Sequence, residues 1–281
     1  MIALIDCDII TYSVGFASQK NTYTVLGKEF SKKTEASAYV KQCNLSPDQV
    51  KCSTVPDPVH FCLNAVKQLL ESILKNIAAN EYRAFITGEG NFREGVAKTK
   101  KYKGNRDPLH KPIHYKAIKE YLINVWQAEI ISGMEADDAL GITQYESFSK
   151  GLLDTTICSL DKDLLMIPGY NYNWRTRVKK YITPEEADKH FFHMMLTGDT
   201  ADNVQGVPKV GKMTATKILD GCSSKEEMWE KVVETYYLGY YNHGKHSSIE
   251  EFLSTIDSII NEHVGLLWMR RENTSKLPWI I

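Results

Sequence analysis

Three strand-length runs in this 281-residue chain each lead the backbone to an acid. Residues 2–5 end at Asp6, residues 128–131 lead to Glu135, and residues 155–159 stop just before Asp161. Another such run spans residues 83–87. Between the runs lie segments with apolar residues at helical spacing. Residues 59–79 place Leu63, Val66, Leu70, Ile73, Leu74 and Ile77 on one side, and residues 113–125 and 135–148 also read as helices. Short strands alternating with helices predict an α/β fold with a mainly parallel central sheet flanked by helices. Residues 21–54 are mixed and fix no element, and Pro56 and Pro58 punctuate the chain after them. Beyond about residue 181 the pattern changes. Pro184 suits an early helical position with Glu185 and Glu186 in the first turn, and helices and turns without a strand are expected to the end. The chain therefore divides into an α/β part, 1–182, and a helical part, 183–281.

The acids fall in four motifs: Asp6 and Asp8; Glu135, Asp137 and Asp138; Asp161 and Asp163; and Asp199 with Asp202. In open parallel sheets, ligands bind outside the carboxyl ends of the strands, where the first three motifs lie. A single acid at such a place is commonly a helix cap. Several in one cleft repel one another and resist ionisation unless a cation compensates them. Oxygen ligands select Mg²⁺ or Mn²⁺ over zinc. Two such ions about 4 Å apart can activate a water and stabilise the leaving oxygen of a phosphodiester.

Other features exclude rival chemistries. The six cysteines include no C-x-x-C pair, which disfavours a zinc ribbon or redox motif. His190 and His193 could share a helix face, but packing or solvation explains such a pair. Residues 206–212, GVPKVGK, open like a P-loop. Met213 then stands where Ser or Thr would hold Mg²⁺, and no predicted strand precedes the motif. A net charge of −1 excludes a uniformly basic nucleic-acid binder. The basic charge is local: residues 93–111 carry Arg93, Lys98, Lys100, Lys101, Lys103, Arg106 and Lys111 against only Glu94 and Asp107. Basic residues interleaved with Tyr102 suit single-strand binding by stacking and phosphate contact. No apolar run has the length of a membrane span, and MIALIDCD lacks signal-peptide features. A cytoplasmic protein, in the host cytoplasm if viral, is expected.

The segments LIDCD, KKYKGNRD, GMEADDAL, SLDKDL and GDTADNVQGVPKVGKMTA run in order across residues 4–215. In this the chain resembles the flap endonuclease and 5′–3′ exonuclease family, especially its small stand-alone bacteriophage members. The resemblance implies a PIN-like nuclease core with a helical arch at about 93–112. It also implies a helix-hairpin-helix-type motif at about 199–220. The implied activity is metal-dependent hydrolysis of DNA at or near 5′ ends, at flaps and at single-strand/duplex junctions. A rival within enzymes is a ribonuclease H-type activity removing RNA primers from RNA–DNA hybrids, since the same site could do both. Two Mg²⁺ or Mn²⁺ ions are implied. Asp6, Glu135, Asp137, Asp138 and Asp161 would form or support the first site, and Asp163, Asp199 and Asp202 would serve the second. Tyr102, Lys103 and Arg106 would lie at the base of the arch, with Lys103 on the scissile phosphate and Arg106 on phosphoryl charge. Lys100 would add a DNA contact.

The hairpin would hold duplex through backbone N–H groups with a K⁺ ion. The residues agree with that. Gly206 and Gly211 permit close backbone approach, Thr214 opens a helix whose N-terminus favours phosphate, and Lys209 and Lys212 add charge. Two positions depart from the family. Its extra Asp after the second strand falls at Gly88 or Glu89, leaving Glu89 or Asp8 to supply that ligand, and the usual hairpin Gly is Lys209. Residues 221–281 match no motif. The alternative reading is a non-catalytic DNA-binding accessory protein that keeps the fold. Against it, a dense acid cluster without metal would repel phosphate.

Overall fold

The computed structural model describes residues 1–106, 111–241, 248–274 and 276–281. The first strand, β1 (Ile2–Asp6), runs into α1 (Cys7–Ala17), and Asp6 caps that helix by accepting the Ile9 N–H at 3.1 Å. Residues 21–54, unreadable in the sequence, belong to a small antiparallel sheet of β2 (Gln19–Val25), β3 (Lys28–Phe30) and β4 (Lys51–Pro56), with α2 (Lys33–Gln42) against it. Only Val25, Ala36 and Val40 form its buried centre, so its strands carry almost no apolar alternation to read.

The chain then alternates as expected. In order come α3 (Val59–Asn76), β5 (Glu81–Asn91), the short α4 (Phe92–Val96), α5 (Tyr115–Asn124), β6 (Glu129–Gly133), α6 (Ala136–Ser149) and β7 (Thr155–Cys158). A β-hairpin the sequence did not reveal follows, β8 (Gly169–Asn173) and β9 (Val178–Ile182). The main sheet has the order β6-β5-β1-β7-β8-β9, parallel except for the β8–β9 pair. From β1 the sheet grows toward β5 on one side and toward β7 on the other. Such a switch opens a crevice at the carboxyl ends of the central strands.

Side chains alternate across the sheet. Ala3, Ile5, Ala84 and Ile86 pack with α1, α3 and α5 on one face. Leu4, Phe85 and Ile157 pack on the other, in a core shared with α6 and the C-terminal helices. Those helices are α7 (Pro184–Thr197), α8 (Lys212–Leu219), α9 (Lys225–Tyr241) and α10 (Ile249–Leu267). The change of character near residue 182 is thus one from sheet to helices, with continuous packing across it. Pro184 sits in the first turn of α7, where Thr183 and Glu186 form a reciprocal capping box.

Two expectations are corrected. Beyond residue 181 there is extended structure, a two-residue pairing of β10 (Gly198–Asp199) with β11 (Val204–Gln205). It is too short to leave a sequence signal. The described part of the expected helical arch holds no helix after α4, and residues 107–110 of that stretch lie outside the described residues. Residues 97–106 turn instead. Lys103 has φ 53°; the Lys98 and Thr99 amides bond to Glu262 and that of Lys103 to Asp202, while those of Gly104 and Arg106 close tight turns within the segment. No helix among the described residues is long and apolar enough to cross a membrane.

Candidate active site

The crevice collects acids from several elements. Asp6 ends β1, fully buried, and accepts the Ser159 hydroxyl at 2.6 Å. Burial foremost, then the nearby Asp8 and Asp161, pushes its carboxyl up to about 7. Asp137, in the first turn of α6, is held well above the usual carboxylate range by burial and then by Asp6, Asp161, Glu135 and Asp8. Asp161 and Asp163 follow β7. Burial raises both, Asp163 to about 8, with Asp199 and Asp202 adding repulsion. Glu135 caps α6, and Asp199 accepts the Ala201 N–H at 2.7 Å in the β10–β11 loop. Capping and clustering therefore coincide in Asp6 and Glu135.

The basic turn folds onto this loop. The Lys103 N–H donates to the Asp202 carbonyl at 3.0 Å, and Asn105 and Asn203 tie the two segments further. Lys103 and Asn203 both adopt positive φ, 53° and 62°, a costly conformation held here by the mutual contacts. The Lys103 ammonium bonds Glu135 and lies 3.8 Å from Asp202, while Arg106 donates to Asp202 at 2.6 Å. Lys100 stays exposed and donates to Gln205 at 3.1 Å.

Tyr102 departs from expectation. Its ring is 7% exposed within the C-terminal core, and its hydroxyl donates its one proton to Asp202 at 2.6 Å, with Glu135 also within reach at 3.2 Å. A ring so buried cannot stack on a base; it orients two acids instead. Asp138 is turned away from the cluster. Both its oxygens accept from the fully buried Arg93, at 2.6 and 2.9 Å, and the Glu135 and Arg270 amides also donate to it. As a result it is committed to holding α6 in place. Of the two candidates for the missing family acid, Asp8 faces the cluster and accepts the Thr87 N–H at 3.1 Å; Glu89 is exposed.

The hairpin joins α7 to α8. Gly198 (φ 69°) and Gly206 meet backbone to backbone, and a Cβ on Gly206 would lie 2.2 Å from the Thr197 carbonyl carbon. The close approach at Gly206 is therefore to its own chain. Gly211 is the N-cap of α8 and faces open space, so the helix opens at Lys212, two residues before Thr214. Lys209 takes φ 63°, the left-handed conformation for which the family's glycine is suited. Lys209, Lys212 and Thr214 are exposed.

The donor set suits a hard divalent cation. It consists of oxygens, several carboxyls resist ionisation, and the buried Asp163 Oδ1 has no hydrogen-bond partner. Among the described residues no three acid, histidine or cysteine side chains converge as a finished cage. Sequence reasoning missed Ser159 and Thr87, whose hydroxyls order the strand ends: Ser159 accepts the Asp161 N–H at 2.9 Å and Thr87 that of Ala136 at 2.9 Å. Nothing but their place beside the acidic motifs could have marked them.

The acids thus gather at the switch point of a parallel sheet, beside a basic turn and a helical hairpin. No family model matches the chain. It is 29% identical over 207 residues to a 5′-3′ exonuclease of Buchnera aphidicola, covering 66% of this chain and 69% of that protein. It is 28% identical to the exodeoxyribonuclease of Enterobacteria phage T3, covering 54% of each. It is 30% identical over 170 residues to DNA polymerase I of Bacillus subtilis, of which it spans 19%. Its fold matches the zinc-bound 5′-exonuclease of phage T5 with a TM-score of 0.56 at 16% identity, covering 94% of this chain and 88% of that one. A T5 D15 protein co-crystallised with metal ions matches at 0.52 and 17%, covering 95% and 89%. The resemblance to stand-alone 5′ nucleases carried by the motifs thus extends to overall sequence and fold.

Proposed function

We propose that this chain is a divalent-metal-dependent 5′ nuclease. It hydrolyses phosphodiester bonds at or near 5′ ends of DNA, as an exonuclease, a flap endonuclease or both. The observation that carries this reading is the acid cluster at the ends of β1, β6 and β7, with the Lys103 ammonium reaching into it. Asp6, Glu135, Asp137 and Asp161, with Asp8, would hold one Mg²⁺ or Mn²⁺, and Asp163, Asp199 and Asp202 the other; Asp138 supports the first set through Arg93. Bound there, the ions would supply an activated water and stabilise the departing oxygen. Tyr102 keeps Glu135 and Asp202 oriented. Lys103 offers a point charge to a phosphoryl oxygen, and Arg106 a planar fork beside it. The exposed turn at Lys209, Gly211, Lys212 and Thr214 binds duplex phosphates, with K⁺ as a further ligand of the hairpin; Gly206 shapes its neck. Lys100 draws the single strand in. RNA–DNA hybrids belong to the same substrate class.

Product mapping tests this on 5′-flap, nicked and blunt DNA, with Mg²⁺ and with EDTA. Short products from 5′ ends or flap junctions are expected with Mg²⁺ alone. Full cleavage in excess EDTA, or binding with no cleavage under any divalent cation, overturns it.

A further inference from the structure

Residues 221–281 carry no motif, yet α10 reaches the catalytic turn through one side chain. Glu262 is 5% exposed, and a single oxygen, Oε1, accepts three donors from the basic segment. These are the Lys98 N–H at 2.8 Å, the Thr99 N–H at 2.9 Å and the Thr99 hydroxyl at 3.0 Å. The next turn of α10 keeps the same company. A Cβ on Gly265 would come within 2.8 Å of Val96, and Arg93 donates to the Leu266 and Trp268 carbonyls at 3.1 and 2.8 Å. Residues 97–106 have no helix or strand to stiffen them. They are tied at one end to Glu262 and at the other to the loop of Asp199–Asn203, where Lys103 meets Glu135 and Asp202.

We propose that Glu262 is a positioning residue of the nuclease centre, an anchor on α10 that sets the entry of the basic segment and so the reach of Lys103. The inference rests on the proposed role of Lys103. All three donors converge on one atom, so the anchor needs an acceptor oxygen at that place. Glutamine can present the same oxygen; leucine, of similar size, cannot. A displacement of about 1 Å at a reacting group can cost on the order of 100-fold in rate.

The test compares Glu262→Leu, Glu262→Gln, Lys103→Ala and the double variant Glu262→Leu/Lys103→Ala. Single-turnover cleavage of a 5′-flap DNA is measured with Mg²⁺ at saturating enzyme, beside hydrogen exchange of the Lys98 and Thr99 amides. Glu262→Leu should lose roughly 100-fold in rate with little change in Kd and deprotect both amides. Glu262→Gln should restore rate and protection. In the Lys103→Ala background the leucine variant should cost almost nothing more, because residues acting as a unit are non-additive. Additive losses, or a leucine variant with wild-type rate, overturn the anchor while leaving the nuclease reading intact. A Lys103→Ala variant with wild-type rate overturns the role of Lys103 and the anchor with it, while its cleavage upholds the nuclease reading. Should Glu262→Leu not fold, Thr99→Val, which removes one donor at the surface, decides: a several-fold loss absent from the Lys103→Ala background supports the anchor, and an unchanged rate overturns it.

Discussion

At the scale of single residues, Lys103 and Lys100 form an internal comparison. They are three positions apart in one basic stretch, but one ammonium sits among acids and the other on an exposed amide. If Lys103 stabilises developing charge, Lys103→Ala should lower the single-turnover rate about 100- to 1000-fold with a small change in Kd. Lys100→Ala should weaken binding modestly and leave that rate alone. Equal small losses in both, cured by more enzyme, would make Lys103 a plain binding residue. The first three acidic motifs could be placed because each lies at a strand end, and strand ends are visible in sequence; Asp199 and Asp202 lie in and after a two-residue strand that leaves no such mark. Nor was the role of Tyr102 legible. Its ring lies in a core shared with residues far along the chain, from α6 to α10, so only the folded packing turns a stacking platform into an orienting hydroxyl.

At the scale of elements, the first turn of α6 depends on Arg93. Burial alone would disfavour its charge; Asp138 more than offsets that, and the pair is wholly enclosed. Removing one partner of a buried ion pair typically costs about 3–5 kcal/mol. Arg93→Met should therefore destabilise the protein by that order in denaturant unfolding. An effect below roughly 1 kcal/mol, the median for surface pairs, would deny α6 this dependence. The hairpin between α7 and α8 makes a different prediction. If Lys209 and Lys212 each neutralise one phosphate, replacing both with alanine should flatten the plot of log affinity against log salt by roughly two units. An unchanged slope, measured on duplex DNA by titration at several KCl concentrations, removes the hairpin from the DNA contact. Helices α3 and α5 were readable from period, since each buries one face; α6 is buried on most sides in its first turns and lacks that period. The β2–β4 sheet and the β8–β9 hairpin were not readable, because their strands are largely polar or sit at an edge.

For the molecule as a whole, the acid cluster links stability to pH. Asp6 is raised to about 7 and Asp163 to about 8, so in the folded state each holds its proton well above the unfolded value near 4. The stability each contributes is complete below about pH 4 and is lost as pH rises through 7 and 8. His190, lowered to about 4 by burial, acts in the opposite sense, losing stability only as pH falls below about 6.5. In EDTA the melting temperature should fall between pH 6 and 9, and saturating Mg²⁺ should remove most of that fall by replacing the protons. A melting temperature that stays flat or rises over this range in EDTA would sink the linkage.

The core that joins the sheet to α7–α10 also bears on how such a protein can change over generations. Leu4, Phe85 and Ile157 of the sheet share one apolar interior with Phe191, Tyr236 and Ile260 of the C-terminal helices. The C-terminal half is thus not a cassette that recombination could trade between lineages. Grafted onto a foreign sheet, it would meet the wrong side chains at every contact. New substrate preferences must instead arise in place, by exchanges at the exposed hairpin and basic turn, where a residue can be altered without repacking what lies beneath.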